Sequence, residues 1–141
     1  MNTSPRCTVN IENFAVRRVP KEHGWLALIA LGPGYSTNLI FYKKGSSGPL
    51  QFHPRKDETT YLYQGKAVIR YIDASTGLLT ETIIDPGTSI HIPPGAVHQF
   101  EALEDCLVIE GSNDVFDDRV NLENGFPTAR KTKANKMDFG E

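Results

Sequence analysis

The 141 residues predict an all-β fold. Three observations carry that reading: a succession of short β-rich runs, strong turn punctuation between them, and no convincing amphipathic helix between the two ends of the chain.

In chain order the runs are WLALIAL (25–31), STNLIFYK (36–43), PLQFH (49–53), TTYLYQ (59–64), KAVIRYID (66–73), LLTETIID (78–85), TSIHI (88–92), VHQFEA (97–102) and CLVIEG (106–111). Several alternate strictly. Val68, Arg70 and Ile72 share one face of their run and Ile69 and Tyr71 the other, the period of a strand with one face on a core. GSSGP at 45–49, Gln64-Gly65, Ser75-Thr76-Gly77, Asp85-Pro86-Gly87 and Pro93-Pro94-Gly95 separate the runs. A short helix or coil is expected near Asp114 to Leu122. Periodicity alone leaves a sandwich and a jelly roll both open.

The chain reads as one domain with two tails: an N-terminal arm at 1–24, a barrel at 25–124, and a flexible C-terminal tail at 125–141 that holds the basic stretch ARKTKANK. It has no internal repeat, low-complexity tract or Pro/Gly-rich linker. With 39% apolar and 23% charged residues the composition is that of a globular domain, which at this size buries roughly 70% of its unfolded surface without disulfides or structural metal. A metal here is therefore expected to be functional.

A net charge of −2 offers no broad basic surface, so a small-molecule or protein partner is expected and a nucleic acid is not. The longest apolar run, Trp25 to Leu31, is far short of the roughly 20 residues of a membrane helix. MNTSPRC lacks the apolar core of a signal peptide, so the expected location is cytoplasmic. Cys7 and Cys106 have no metal-like or redox-like spacing and read as reduced thiols, Cys106 as a small core residue.

Gln51 and His53 are two apart in an extended run, so their side chains project from one face. Pro54 ends regular pairing, Arg55-Lys56-Asp57 turn the chain, and Glu58 opens the next strand, placed to return toward that face. His98 follows the turn at Pro93-Pro94-Gly95. Two imidazoles, a carboxylate and an amide oxygen form a mixed N/O donor set with no thiolate, suited to Zn²⁺, Mn²⁺ or Fe²⁺ among others. Four protein ligands leave room for water or substrate.

QFHPRKDETTYLYQG at 51–65 reads as QxHxxxxE, six residues and Gly, and GTSIHIPPGAVH at 87–98 as Gly, five residues and PxGxxH. In that order they resemble the two conserved cupin motifs, over about residues 36 to 123. The resemblance implies a cupin double-stranded β-helix (jelly-roll) barrel holding one divalent metal ion per chain, Mn²⁺, Zn²⁺ or Fe²⁺, through Gln51, His53, Glu58 and His98. The commonest cupin motif has His where this chain has Gln51, and the Gln, His, Glu, His set resembles the sugar-phosphate isomerase branch, including the cupin domain of phosphomannose isomerases. KEHGW at 21–25 is similar to that branch's opening, and IEGSNDVFDDRVNLEN to its closing segment. The chain departs from the branch at Asn121, where an arginine is usual and Arg119 lies two places earlier, and at GFP (125–127), where Tyr-Gly-Arg is usual.

That branch implies aldose–ketose isomerisation of a small sugar or sugar phosphate; a non-haem metal dioxygenase and a non-catalytic metabolite-binding barrel stay open beside it. Arg55, Lys56, Tyr61 and Tyr63 are the expected substrate contacts because they lie close in sequence to the ligands, although strand alternation cannot place all of them inside. No catalytic base is identified. His91, His23, Trp25 and Phe52 read as structural or packing residues. β-rich edges favour a homodimer.

Overall fold

In a computed structural model, residues 7–14 and 17–122 are described. Eleven strands form among them: β1 (Val19–Lys21), β2 (Gly24–Gly32), β3 (Tyr35–Tyr42), β4 (Gln51–Phe52), β5 (Glu58–Gln64), β6 (Ala67–Ile72), β7 (Leu79–Ile84), β8 (Ser89–Ile92), β9 (His98–Ala102), β10 (Cys106–Ser112) and β11 (Val120–Asn121). They make two antiparallel sheets, a six-stranded one in the order β1-β2-β3-β10-β5-β8 and a five-stranded one in the order β11-β4-β9-β6-β7. This is the all-β jelly-roll expected from the sequence.

Each of the nine expected runs contains a strand, and β1 and β11 are additions. β1 lies within residues 1–24 and pairs with β2, so part of that arm joins the sheet. The stretch from Asp114 to Leu122 is coil that ends in β11, with no helix. The expected C-terminal tail at 125–141 lies outside the described residues.

Consecutive strands fold back through turns that glycine makes possible. Gly65, between β5 and β6, has φ +103°, and a Cβ there would collide with the backbone oxygen of Asp105. Gly95 has φ +88°, and its N–H donates to the carbonyl of His53 at 2.7 Å, tying the turn before β9 to the end of β4.

Facing the space between the sheets are Ile40, Leu62, Ala67, Ile69, Ile84, Phe100, Ala102, Cys106 and Val108, which form the main core cluster. Cys106 is buried, as expected, and Cys7 is exposed. Leu50 and Leu79 form a smaller buried cluster beneath β4. The segment leading into β4 runs along β9: the Gly48 N–H donates to Phe100 O, the Gln99 amide donates to Gly48 O, and Ser47 bridges to Glu101. These contacts set the short β4 beside the start of β9.

Candidate metal centre

Gln51 is the register partner of His98, with Asn121 on its other side. His53 follows one residue beyond β4. Glu58, the first residue of β5, lies between Ile92 of β8 and Ser112 of β10 in the opposite sheet. One ligand-capable carboxylate from one sheet therefore faces two imidazoles from the other.

His98 Nε2 is 3.5 Å from Glu58 Oε2 and His53 Nε2 is 3.9 Å from the same oxygen. One donor atom from each of the three lies within 4.8 Å of the others. Two ligands about 2.1 Å from one ion lie about 3.0 Å apart at a right angle and about 3.4 Å apart at the tetrahedral angle, so small side-chain rotations close this cluster around a cation. Gln51 Oε1 is buried with no hydrogen-bond partner, a cost a cation would remove. The donor set and the orphaned amide oxygen fit a divalent ion.

Both imidazoles are oriented from behind. His53 Nδ1 donates to Asp118 Oδ1 at 3.2 Å, and Asp118 Oδ2 accepts the backbone N–H groups of Arg55 (2.6 Å) and Lys56 (3.0 Å). His98 Nδ1 donates to the carbonyl of Ala96 at 3.0 Å. In each ring the proton is on Nδ1 and the Nε2 lone pair faces the carboxylate. Burial holds the pKa of both rings below the usual histidine range; the Lys56 charge adds to this for His53, where Asp118 opposes it, and the Ala96 carbonyl opposes it for His98. Neutral imidazole is the form that binds metal.

Glu58 Oε1 faces the ammonium of Lys56 at 3.3 Å, and that ammonium is 3.4 Å from Glu110 Oε1, which also accepts from the Asn38 amide at 3.2 Å. Burial pushes the Glu58 carboxyl up to about 8, with Glu110 pushing the same way and Lys56 opposing. Burial alone would lower Lys56, but the Glu110 and Glu58 carboxylates outweigh it and its pKa rises. Burial likewise raises the Tyr42 phenol, helped by Glu110 and Glu58, so that it stays a neutral donor.

All four expected ligands line a cavity of about 1040 Å³, together with Lys56, Glu110, Thr60 and Tyr42. Of the expected substrate contacts the structure brings only Lys56 into it. Tyr61 and Tyr63, 38% and 54% exposed, lie on the outer face, because Glu58, Thr60 and Leu62 take the inward positions of β5 and adjacent residues must point the other way. The Arg55 side chain is on an exposed turn outside the cavity lining, and only its backbone N–H takes part, on Asp118. His91 is also outside, paired with Asp57 at 2.7 Å. His23 stacks on Tyr42 with ring centroids 4.1 Å apart and lines the cavity. Trp25 stacks on Phe41 under the Arg18 guanidinium.

The sequence reading did not single out Glu110 and Asp118. For Glu110 a signal existed: it shares a face with Cys106 and Val108 by simple alternation, which puts an acid on the inner wall. Asp118 lies in coil after β10, where no periodicity marks it.

Two facing antiparallel sheets with a histidine and carboxylate cluster on the inner wall define a small jelly-roll barrel with a possible metal site. The cupin domain family matches residues 38–110, just over half of the chain, and the chain belongs to that family. Among solved structures it is similar to the capsular polysaccharide assembling protein CapF from Staphylococcus aureus, with 22% identity, a TM-score of 0.70, and 79% of this chain and 32% of that one covered. It is also similar to an oxalate decarboxylase from Lactobacillus farciminis solved as a formate complex, with 20% identity, a TM-score of 0.64, and coverage of 76% and 33%. KdgF from Halomonas sp. matches with 25% identity, a TM-score of 0.59, and coverage of 67% and 81%. The chain spans about a third of the length of the CapF and oxalate decarboxylase chains, and its likeness to those two is one of fold. No curated relative matches it in sequence.

Proposed function

We propose that the barrel holds one divalent metal ion through Gln51, His53, Glu58 and His98 and isomerises a small sugar or sugar phosphate between aldose and ketose forms. The observation that carries the metal reading is the convergence of two Nε2 lone pairs on one Glu58 oxygen beside the orphaned Gln51 oxygen. The Gln, His, Glu, His order, which resembles that of the phosphomannose isomerases, supports the isomerase reading. A neighbour in fold described as assembling a capsular polysaccharide is in keeping with a sugar.

When bound, such an ion supplies Lewis acidity at a substrate oxygen. The chain's own residues do the rest. Asp118 and the Ala96 carbonyl hold the imidazoles in their metal-binding tautomer, while the Tyr42 and Thr60 hydroxyls line the same cavity and can take substrate hydroxyls. The apolar wall of Leu26, Ile40, Phe100 and Val108 limits water behind the substrate.

The test is elemental analysis of protein purified without a metal-affinity tag, followed by an aldose–ketose isomerase assay with the metal found. Stoichiometric Mn²⁺ or Zn²⁺ with sugar turnover is the expected outcome. Iron with oxygen uptake and no sugar turnover would replace the isomerase reading with a dioxygenase, and a metal-free protein would end both.

The location proposed is the cytoplasm; no helix among the described residues is long and apolar enough to cross a membrane. The outer face of the six-stranded sheet supports a homodimer, because Trp25, Phe41 and Leu107 form one cross-strand row on it and Leu39, Ile109 and Tyr61 another.

A further inference from the structure

Lys56 is the one lysine joined to the candidate metal centre among the described residues, and it sits between two carboxylates. Its ammonium is 3.3 Å from Glu58 Oε1 and 3.4 Å from Glu110 Oε1, and the side chain is only 14% exposed. The Asp118 carboxylate pins its backbone N–H, and the Asn38 amide pins Glu110 from the far side. Glu58 is thus divided: Oε2 faces the imidazoles and Oε1 faces the ammonium.

We infer that Lys56 and Glu110 form a positioning pair that sets how tightly the Gln51, His53, Glu58 and His98 site holds a divalent cation. Lys56 competes with the cation for Glu58, and Glu110 draws the ammonium away. The inference rests on the metal reading above and goes beyond it by giving a role to two residues that are not ligands.

The physical basis is charge counting inside a buried space. Two carboxylates and one ammonium surround the position, so a dication meets a net charge of about −1 from these three groups. Without the ammonium, two carboxylates face the cation. Without the Glu110 charge, the ammonium rests on Glu58 alone and the net charge falls to zero. The two changes therefore move metal affinity in opposite directions, whereas loss of mere packing would weaken binding in both.

The experiment is calorimetric titration of metal-stripped protein with Mn²⁺ and separately with Zn²⁺, at one pH and ionic strength, for the wild type, Lys56→Met, Lys56→Arg and Glu110→Gln. One unit charge a few ångströms away in a poorly screened site is worth about tenfold or more in affinity. Lys56→Met is expected to bind about tenfold tighter, Glu110→Gln about tenfold weaker, and Lys56→Arg, which keeps charge and reach, close to the wild type. Thermal unfolding of the metal-free forms checks that each variant folds. If Lys56→Met does not fold, Lys56→Gln takes its place with the same tighter binding expected, because weaker binding by Glu110→Gln alone is also what lost packing would give. Shifts of Lys56→Met and Glu110→Gln in the same direction, or no shift in either, overturn it. A wild type that takes up neither ion instead defeats the metal reading, and this inference with it.

Discussion

The two ends of the barrel are made by the same strands and have opposite chemistry. Inward positions of β5 run Glu58, Thr60, Leu62; those of β3 run Ser36, Asn38, Ile40; those of β10 run in the reverse sense, Cys106, Val108, Glu110. At one end the residues are Leu62, Ile40 and Val108, an apolar core whose upper layer floors the cavity; at the other they are Glu58, Asn38 and Glu110, a buried polar cluster joined by the His53 and His98 rings. Alternation decides which residues face inward, and the residue type chosen at each inward step decides whether that level of the barrel is apolar core or a cluster of polar and ligand-capable groups.

Damage at the two ends should therefore separate. The largest effects come from paired variants. Replacing His53 and His98 together with Ala should reduce bound metal to background with only a small change in the unfolding midpoint of the metal-free protein. Leu62, fully buried, should lose about 3 kcal/mol of stability as Leu62→Ala while metal stoichiometry is kept. Elemental analysis and denaturant titration of both variants check this; if the histidine pair unfolds the protein, or Leu62→Ala empties the site, the division between ends is wrong.

A smaller effect is expected one layer out. Asp118→Asn removes the carboxylate that orients His53 and holds the turn at Arg55 and Lys56, and should weaken metal binding by about tenfold to a hundredfold with the chain still folded. An unchanged dissociation constant would show that His53 is oriented by other means.

The smallest effect is a pH slope. Burial raises the folded-state pKa of Glu58 to about 8 from 4.5, so above about pH 7.5, where histidines are mostly neutral in both states, the folded form binds the extra proton and stability falls as pH rises. Metal-free protein should lose roughly 1 kcal/mol between about pH 7.5 and 9. Saturating metal should remove that loss, because it binds the ionised carboxylate. Unfolding curves with and without metal measure both, and a metal-free protein that gains stability over this interval would contradict the assignment.

Much of this plan was legible before any coordinates. Turn glycines and alternating runs mark the nine central strands, and the spacing of Gln51, His53, Glu58 and His98 marks the candidate site, because these depend on local geometry and on residues whose chemistry is distinctive. β1 and β11 were not legible: three and two residues long, they exist only because β2 and β4 offer open edges. Proximity in sequence was a poor guide to the cavity wall, since Tyr61 and Tyr63 sit beside inward residues and so must face out. Asp118 reaches His53 across 65 positions of chain, a contact that only the closed barrel creates.

The backbone carbonyl behind His98 and the carboxylate behind His53 have a bearing on how an ion arrives. Since each ring already carries its proton on the far nitrogen, capture of a cation requires no tautomer exchange and displaces no imidazole proton near neutrality. A hydrogen ion released if the site loads a divalent cation is expected to come from Glu58, so the count read in buffers of different ionisation enthalpy should rise toward one from the alkaline side of about pH 8 to neutrality.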